Sequence, residues 1–339
     1  MHINTSANEE QSVSGKVLNL FSDPKTAIDN ERFETDSFVS FDSEMAYYMP
    51  PIPFSKLSKL IRVNPHHGAL PLFKARKVAS YMKPNNLISR QTIIRALVDF
   101  ESTGNGFFKL ERNRADQVTR INYLPTINTR RLKGDNCYGW IQDRPKPLIK
   151  FKKDEVIHIM QHDPFQQVYG IPYWVGGLQS ILLGEDVRIY MRMFFKNGGS
   201  TGDILATAGL SKTAQDIVQE LMDSPTGDNR FKRLLIQLPR GEVEKMLKVL
   251  PYSTGSEKID YSKLAAMTST DILEAWRIPP ELAGMRPEGT ATSGDLDKIK
   301  DMYYENEIVP IQQMLSDELC DFLGPNNPLL FDQPMMKDS

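Results

Sequence analysis

One stretch limits the possible folds of this chain more than any other: Tyr169 to Asp203, reading YGIPYWVGGLQSILLGEDVRIYMRMFFKNGGSTGD. It opens on Gly170-Ile171-Pro172, with Pro172 suited to a first helical position, and closes on Asn197-Gly198-Gly199, where left-handed cap geometry costs little. The spacing predicts one long helix from Pro172 to Lys196, a rod of roughly 37 Å at 1.5 Å per residue. Apolar residues, among them Val175, Leu178, Ile181, Val187, Tyr190 and Phe194, cover most of its circumference, so neighbours must press on it from several sides. One narrow stripe stays polar: Arg188, Arg192 and Lys196 at i, i+4 and i+8, with Glu185 one turn before Arg188 and placed to pair with it. In a monomer this is a central core helix. In a ring of subunits it packs between copies of itself and presents a basic stripe to a neighbour or to a lumen.

A chain of 339 residues is too long for one compact core and predicts two or three subdomains. With 40% hydrophobic and 25% charged residues it has the composition of a soluble globular protein, and a net charge of −2 gives no global field to draw nucleic acid or an anionic membrane. DNA as a passing ligand is still compatible with that balance, because each phosphate neutralised adds affinity and therefore drag. Cys137 and Cys320 define neither a disulfide framework nor a metal motif and read as buried free thiols in a reducing cytoplasm. No secretory signal and no apolar run near the roughly 18 residues of a spanning helix are expected.

Along the chain, residues 1–40 read as a mobile polar arm and 41–53 as an extended aromatic and proline-rich segment. Short helices are predicted over 55–60 and 70–81, separated by Asn64-Pro65. A clearer amphipathic helix follows, capped by Ser89, with Ile93, Ile94, Leu97, Val98 and Glu101 at helical spacing and a stop at Gly104. From Gly106 the period changes to two. A hairpin breaking at Asn113 to Asp116 and further strands near 129–132, 138–142 and 155–160 make 105–160 a β-rich module. After the long helix come a strand at 203–206, a helix from Ser211 to about Asp223, and strands at 233–238 and 247–250, a small αβ module. Helix returns from Asp260 to Ile278, ended by Pro279-Pro280. Gly284 to Gly294 is a small-residue loop, and a last helix runs from Asp295 to Phe322. Pro310 inside it removes a backbone bond and collides with the carbonyl of Asn306, which predicts a kink. Residues 324–339 form a proline-punctuated tail. The fold class is α+β.

No catalytic constellation survives weighing. His158 and His162 have two-ligand spacing only on a helix, and Val156 to Met160 reads as a strand, so a satisfied or surface histidine is the better account; His66-His67 reads as a loop pair. Gly198-Gly199-Ser200-Thr201-Gly202 follows a helix and lacks the lysine of a phosphate-binding loop, and Gly104-Asn105-Gly106 precedes a strand, the reverse of the dinucleotide-binding order. There is no Gly-x-Ser-x-Gly elbow and no clustered carboxylate set. Arg130-Arg131-x-Lys133 is a solvated strand end rather than a nucleic-acid patch. No enzyme, metal or cofactor is expected.

Several motifs in order resemble phage portal proteins, the head-to-tail connectors, and specifically their PBSX-type family: Tyr169-Gly170-Ile171-Pro172 leading into the long helix, Phe194-Phe195-x-Asn197-Gly198 closing it, Asp271-Ile272-Leu273, Arg277-Ile278-Pro279-Pro280-Glu281-Leu282-x-Gly284, then the small-residue loop and last helix. The resemblance covers roughly residues 40–325. It implies a dodecameric ring at one capsid vertex, through which double-stranded DNA is packaged and ejected. Carried onto this chain it makes 41–168 a wing, 169–199 and 257–283 stem helices, 200–256 a clip, 284–294 a tunnel loop, and 295–339 a kinked helix with a short tail in place of a large crown. Implied partners are other copies of the chain, the terminase large subunit, head-completion and neck proteins, major capsid and scaffold proteins, and channel DNA bound without sequence preference. No membrane is implied; the implied location is the virion, after assembly in the host bacterial cytoplasm.

On that resemblance Arg286, Thr290, Thr292 and Ser293 are the tunnel-loop residues nearest DNA, small hydroxyls allowing close approach without strong binding; an ordinary exposed loop is the bland alternative. Arg188, Arg192 and Lys196 either face the lumen or make intersubunit ion pairs, and the proximity of Glu185 favours pairing or a ring near the clip. A portal ring competes with a monomeric adaptor module and with an enzyme; assembly into a ring with a central channel separates the first from the others.

Overall fold

The structure, a computed structural model, describes residues 41–44, 46–142, 147–165, 167–196, 203–208, 234–238, 249–251, 261–284, 293–324 and 327–333. The N-terminal arm lies outside them. The chain divides into two units, one of Thr26–Arg188 with Asp260–Ser339, the other of Met1–Lys25 with Ile189–Ile259.

In the larger unit a short hairpin, β1 (Phe41–Asp42) with β2 (Tyr47–Tyr48), leads into three helices: α1 (Phe54–Leu60), α2 (Pro65–Ser80) and α3 (Arg90–Thr103). α2 starts five residues earlier than the sequence predicts. Asn64 is its cap, the side chain accepting from His66 N at 3.0 Å, and Pro65 takes a first-turn position where a missing N–H costs nothing. His66 and His67 therefore sit on a helix, not in a loop. α3 is as predicted: Ser89 Oγ accepts from Thr92 N, Ile93, Ala96, Leu97 and Phe100 are buried, and Gly104 closes the helix in the left-handed region at φ 74°.

The period-two segment forms two antiparallel sheets. β3 (Asn105–Arg112) lies between β4 (Val118–Leu124) and β8 (Val156–Met160), with Phe107 opposite Leu124 on one side and His158 on the other. As the middle strand β3 is covered on both faces, and Phe107, Phe108 and Leu110 are all buried. The hairpin turn is drawn together by Asn113 Oδ1, which accepts from Ala115 N and Gln117 N. β5 (Thr129–Arg131), β6 (Tyr138–Trp140) and β7 (Ile149–Lys150) form the second sheet.

The long helix does not begin at Pro172. Pro172 precedes a 3₁₀ turn, Tyr173–Gly177, and α4 proper runs Leu178–Lys196. Gly176-Gly177 weakens α-helical nucleation at that point, and the tighter turn fills the gap. α5 (Tyr261–Ala275) also stops short of the prolines expected to end it. Arg277 adopts φ 55°, Ile278 N donates to Leu273 O and Arg277 N to Glu274 O, and Leu273 and Ile278 are both buried. This is a Schellman cap with arginine in the position usually given to glycine.

The last helical stretch is α6 (Ser293–Tyr303), a π-helical turn (Tyr304–Ile308) and α7 (Val309–Leu323), with Pro310 in the first turn of α7. The segment read as a free tail folds back: Lys83 N donates to Leu330 O, Asp332 N to Tyr81 O, and Leu329 is buried. Neither cysteine is buried as expected; both are free, Cys137 half-buried and Cys320 exposed. In the smaller unit β9 (Asp203–Ala208) pairs parallel with β10 (Leu234–Leu238) and antiparallel with β11 (Val249–Pro251). The helix expected from Ser211 lies outside the described residues. Among the described residues no helix is long and apolar enough to cross a membrane.

Candidate functional site

The sequence motifs converge within the larger unit, where the first half of α4 meets α5. The two helices meet through small residues at heptad spacing. A Cβ on Gly177 would come 2.5 Å from Ala275 Cβ, and one on Gly184 2.6 Å from Asn64 Nδ2 with Thr268 beside it. Positions 177 and 184 thus face 275 and 268, the register of an antiparallel pair at close approach. Ile181, Ile272 and Leu273 are buried there, and Ser180 Oγ donates to Asp271 Oδ2 at 3.0 Å.

The segment entering α4 is clamped to the β-module. Asn105 Nδ2 donates to Gly170 O and Gly170 N donates to Asn105 Oδ1, both at 2.8 Å. A Cβ on Gly170 would lie 2.3 Å from Gly104 O and 2.4 Å from Gln161 O, so the backbones can approach only with glycine there. The Tyr169 hydroxyl donates to Tyr48 O and accepts from Arg131 N, each at 2.8 Å. His158 Nε2 lies 2.9 Å from Asn105 Oδ1, which is an acceptor, so Nε2 carries the proton. Stacked on Phe107 and half-buried, His158 has its pKa pushed down to about 3 by desolvation first and the Arg131 charge second. It is a neutral structural histidine. Among the described residues no group of His, Cys, Asp and Glu could hold a metal.

Beside this clamp His67 lies between two tryptophans. Its ring centroid is 4.5 Å from Trp174 and 5.4 Å from Trp276, and Trp276 Nε1 donates to His67 Nδ1 at 2.8 Å. Burial lowers its pKa to about 4, so His67 is neutral with the proton on Nε2, which has no hydrogen-bond partner among the described residues. Trp174 Nε1 donates to Glu101 O at 3.0 Å.

Charged side chains then meet from four elements. Lys74 Nζ of α2 is 3.0 Å from Glu307 Oε2 in the π turn and 3.6 Å from Glu101 Oε2 of α3. Arg277 Nη1, past the end of α5, is 3.5 Å from Glu307 Oε1 and lies over the Tyr173 ring. Desolvation, and secondarily the Glu307 charge, raise the Glu101 pKa against the opposing pull of Lys74; burial also raises that of the Tyr303 phenol, whose hydroxyl has no hydrogen-bond partner among the described residues.

The candidates singled out in the sequence are distributed differently. Arg188 is half-buried, its charge felt at His66, and its Nη1 has no hydrogen-bond partner among the described residues. Arg192 is exposed, and the Lys196 side chain is outside the described residues. Arg286, Thr290 and Thr292 also lie outside them. Ser293 belongs to the first turn of α6 instead of the loop. Pro310 is the second residue after the π turn, in the first turn of α7. Sequence reasoning did not single out Lys74 or Glu307, and read His67 only as half of a loop pair. Glu101 was visible only as a carboxylate on the apolar stripe of α3, the one signal that a buried partner was waiting.

The sequence profile of the phage portal protein family matches residues 74–333, which includes α3, both β-module sheets, the joint and α7. The chain belongs to the phage portal protein family. Among portal relatives it is 29% identical over 306 residues to the probable portal protein of Escherichia phage P2, covering 90% of this chain and 88% of that one. To the probable portal protein of Haemophilus phage HP1 (strain HP1c1) it is 27% identical over 289 residues, covering 83% of each. These matches carry the portal family and not its PBSX-type subdivision. The portal fold is also found in solved structures of low identity. A chain of the virion of a native gene transfer agent particle has a TM-score of 0.58 at 14% identity, covering 83% of this chain and 84% of that one. A chain of the neck of the native particle, computed with C12 symmetry, has 0.57 at 15%, with 82% and 84% covered. An HK97 family phage portal protein from Corynebacterium diphtheriae has 0.51 at 12%, with 81% and 94% covered.

Proposed function

We propose that the protein is the subunit of a dodecameric portal ring at one capsid vertex, the conduit through which double-stranded DNA enters and leaves the head. The observation that carries this reading is the match to phage portal proteins over nine-tenths of the chain, extending through every element of the joint. On this reading α4 and α5 are the stem pair, 200–256 is the clip that docks the terminase large subunit and later the head-completion and neck proteins, and 41–168 is the wing, where capsid and scaffold proteins bind. The loop 284–294, with Arg286, Thr290 and Thr292 and ending at Ser293, approaches DNA. Arg188, Arg192 and Lys196 serve the lumen or the ring contacts, and Pro310 with the π turn before it sets the course of the last helix. The protein works in the virion after assembly in the bacterial host, and acts by shape and assembly without catalysis.

The twofold-unlike contacts of a closed ring require two different surfaces on each copy, and the exposed apolar residues Leu183 and Met267 on the stem helices and Leu296 and Met302 on α6 supply candidates. Mass photometry of the purified protein followed by negative-stain imaging of the heaviest species tests the proposal. Rings of about a dozen copies with an open centre, the order a C12 relative suggests, support it. A persistent monomer across salt, concentration and added scaffold protein would overturn it and favour an adaptor role.

A further inference from the structure

α6 is held to the body at one end only. Leu296, Asp297, Lys298, Lys300 and Met302 are exposed, and of its described side chains Tyr303, the last, is the buried one. An isolated helix of 11 residues is marginal in water, so the orientation of α6 is decided in the π turn that follows. That turn is gripped on two sides. On one, Tyr304 meets the Tyr81 ring edge-on at 4.9 Å, and its hydroxyl lies 3.3 Å from Gln312 Oε1 and 3.2 Å from Asp332 O. On the other, Glu307 receives Lys74 from α2 and Arg277 from the end of α5. Arg277 precedes the segment 284–294 and Glu307 follows it, so one carboxylate ties together the chain on both sides of that segment.

The two grips differ in kind. The Tyr304 side rests on ring packing and neutral oxygens and has one arrangement. The Glu307 side has two, because two cations and two carboxylates meet there and sum to zero charge. Lys74 is 8% exposed and Glu101 5%, while Arg277 is 62% exposed and free to follow Glu307 outward. With Glu307 engaged, Lys74 bonds it at 3.0 Å and leaves Glu101 at 3.6 Å. With Glu307 withdrawn alongside Arg277, Lys74 closes on Glu101 and no charge is left buried alone, the condition that usually makes opening such a pair expensive.

We propose that Glu307 is a releasable tie: by exchanging Lys74 between Glu307 and Glu101, the joint fixes or frees α6, with the Arg277 side chain, against α2 while Tyr304 and α7 stay seated. The consequence for a portal rests on the function proposed above, since the segment assigned to the channel is suspended between α5 and α6; the tie itself does not depend on ring formation.

Hydrogen–deuterium exchange on the purified full-length protein, in whatever assembly state it adopts, tests the tie. In Arg277→Gln and Glu307→Gln, amides of residues 293–308 exchange about tenfold faster or more, and those of α3 and α7 keep their wild-type rates. Glu101→Gln removes the competing carboxylate, leaves Lys74 to Glu307, and slows exchange over 293–308. Unchanged rates over 293–308 in the first two variants, or acceleration spread equally through α3 and α7, would overturn the proposal. Faster exchange in Glu101→Gln would contradict the partner swap, because a purely structural network loses stability whichever carboxylate is neutralised. Arg277→Gln alters an exposed side chain and keeps the experiment decisive where the buried substitutions fail to fold. Failure of ring assembly is read separately, by mass, and leaves this result standing.

Discussion

Gly170 shows most plainly what one residue does here. Its place in a Gly-Ile-Pro turn was legible, but the reason for glycine was not: a Cβ would meet two backbone oxygens within 2.4 Å, groups that cannot rotate away. Gly170→Ala is expected to cost about 3 kcal/mol, at the upper end of overpacking effects because backbone must move, and to lower the urea midpoint without changing the slope. Two histidines packed among aromatic rings, His67 buried and His158 half-buried, predict the response to acid. Both are neutral in the fold, lowered from 6.5 to about 4 at His67 and about 3 at His158, so as pH falls below 6.5 the unfolded chain takes up protons first and stability drains away. Each group withdraws about 3 kcal/mol or more between pH 6.5 and its folded value, at 1.36 kcal/mol per pH interval of shift. Denaturant titrations from pH 7 to 4 would show this slope, and His158→Gln, whose side-chain amide can still donate to Asn105, would flatten it even where it lowers stability at neutral pH. A slope unaltered by that change would contradict the assignment.

At the scale of elements, the α4–α5 pair depends on absence of side chains as much as on their presence. Gly184→Leu would push Asn64 and Thr268 away and part α4 from α5, at an expected cost of 2–3 kcal/mol by analogy with overpacked cores, roughly. Near-ultraviolet circular dichroism of Trp276 and Trp174, stacked at 6.3 Å beside His67, would report the parting before global unfolding does. Element existence was readable because α3 keeps a helical period between Ser89 and Gly104, caps at both its ends, and β3 and β4 are joined by a turn at Asn113 to Asp116. Their boundaries were less so. Asn64-Pro65 looked like a break and is a cap followed by a first turn; Pro279-Pro280 looked like the stop of α5, which ends earlier because Arg277 accepts a left-handed conformation. A left-handed arginine leaves no mark in a sequence, and neither does a π turn. The pattern before Pro310 reads as continuous helix because a π turn keeps apolar residues inward while adding a residue to the turn.

For the whole molecule, family membership was carried by motifs in the right order, and their physical meaning emerged only once they met. Tyr169-Gly170-Ile171-Pro172 clamps the entry to α4 onto β3, and Arg277-Ile278-Pro279-Pro280 caps α5 beside it. Lys74, Glu101 and Glu307 could not be read together, since they lie on three elements far apart in sequence and join only by burial. Their contribution is correspondingly non-local: Lys74→Met would leave two carboxylates in one buried site and is expected to cost about 3–5 kcal/mol, a loss visible as a lowered thermal midpoint. The central claim, that this chain builds a DNA conduit, is tested most directly by cryo-electron microscopy of the purified assembly. The proposed function predicts a closed ring of about twelve copies, with the α4–α5 pairs around a central channel and residues 284–294 at its narrowest point. A closed particle without a channel, or a ring in which that segment faces outward, would contradict it.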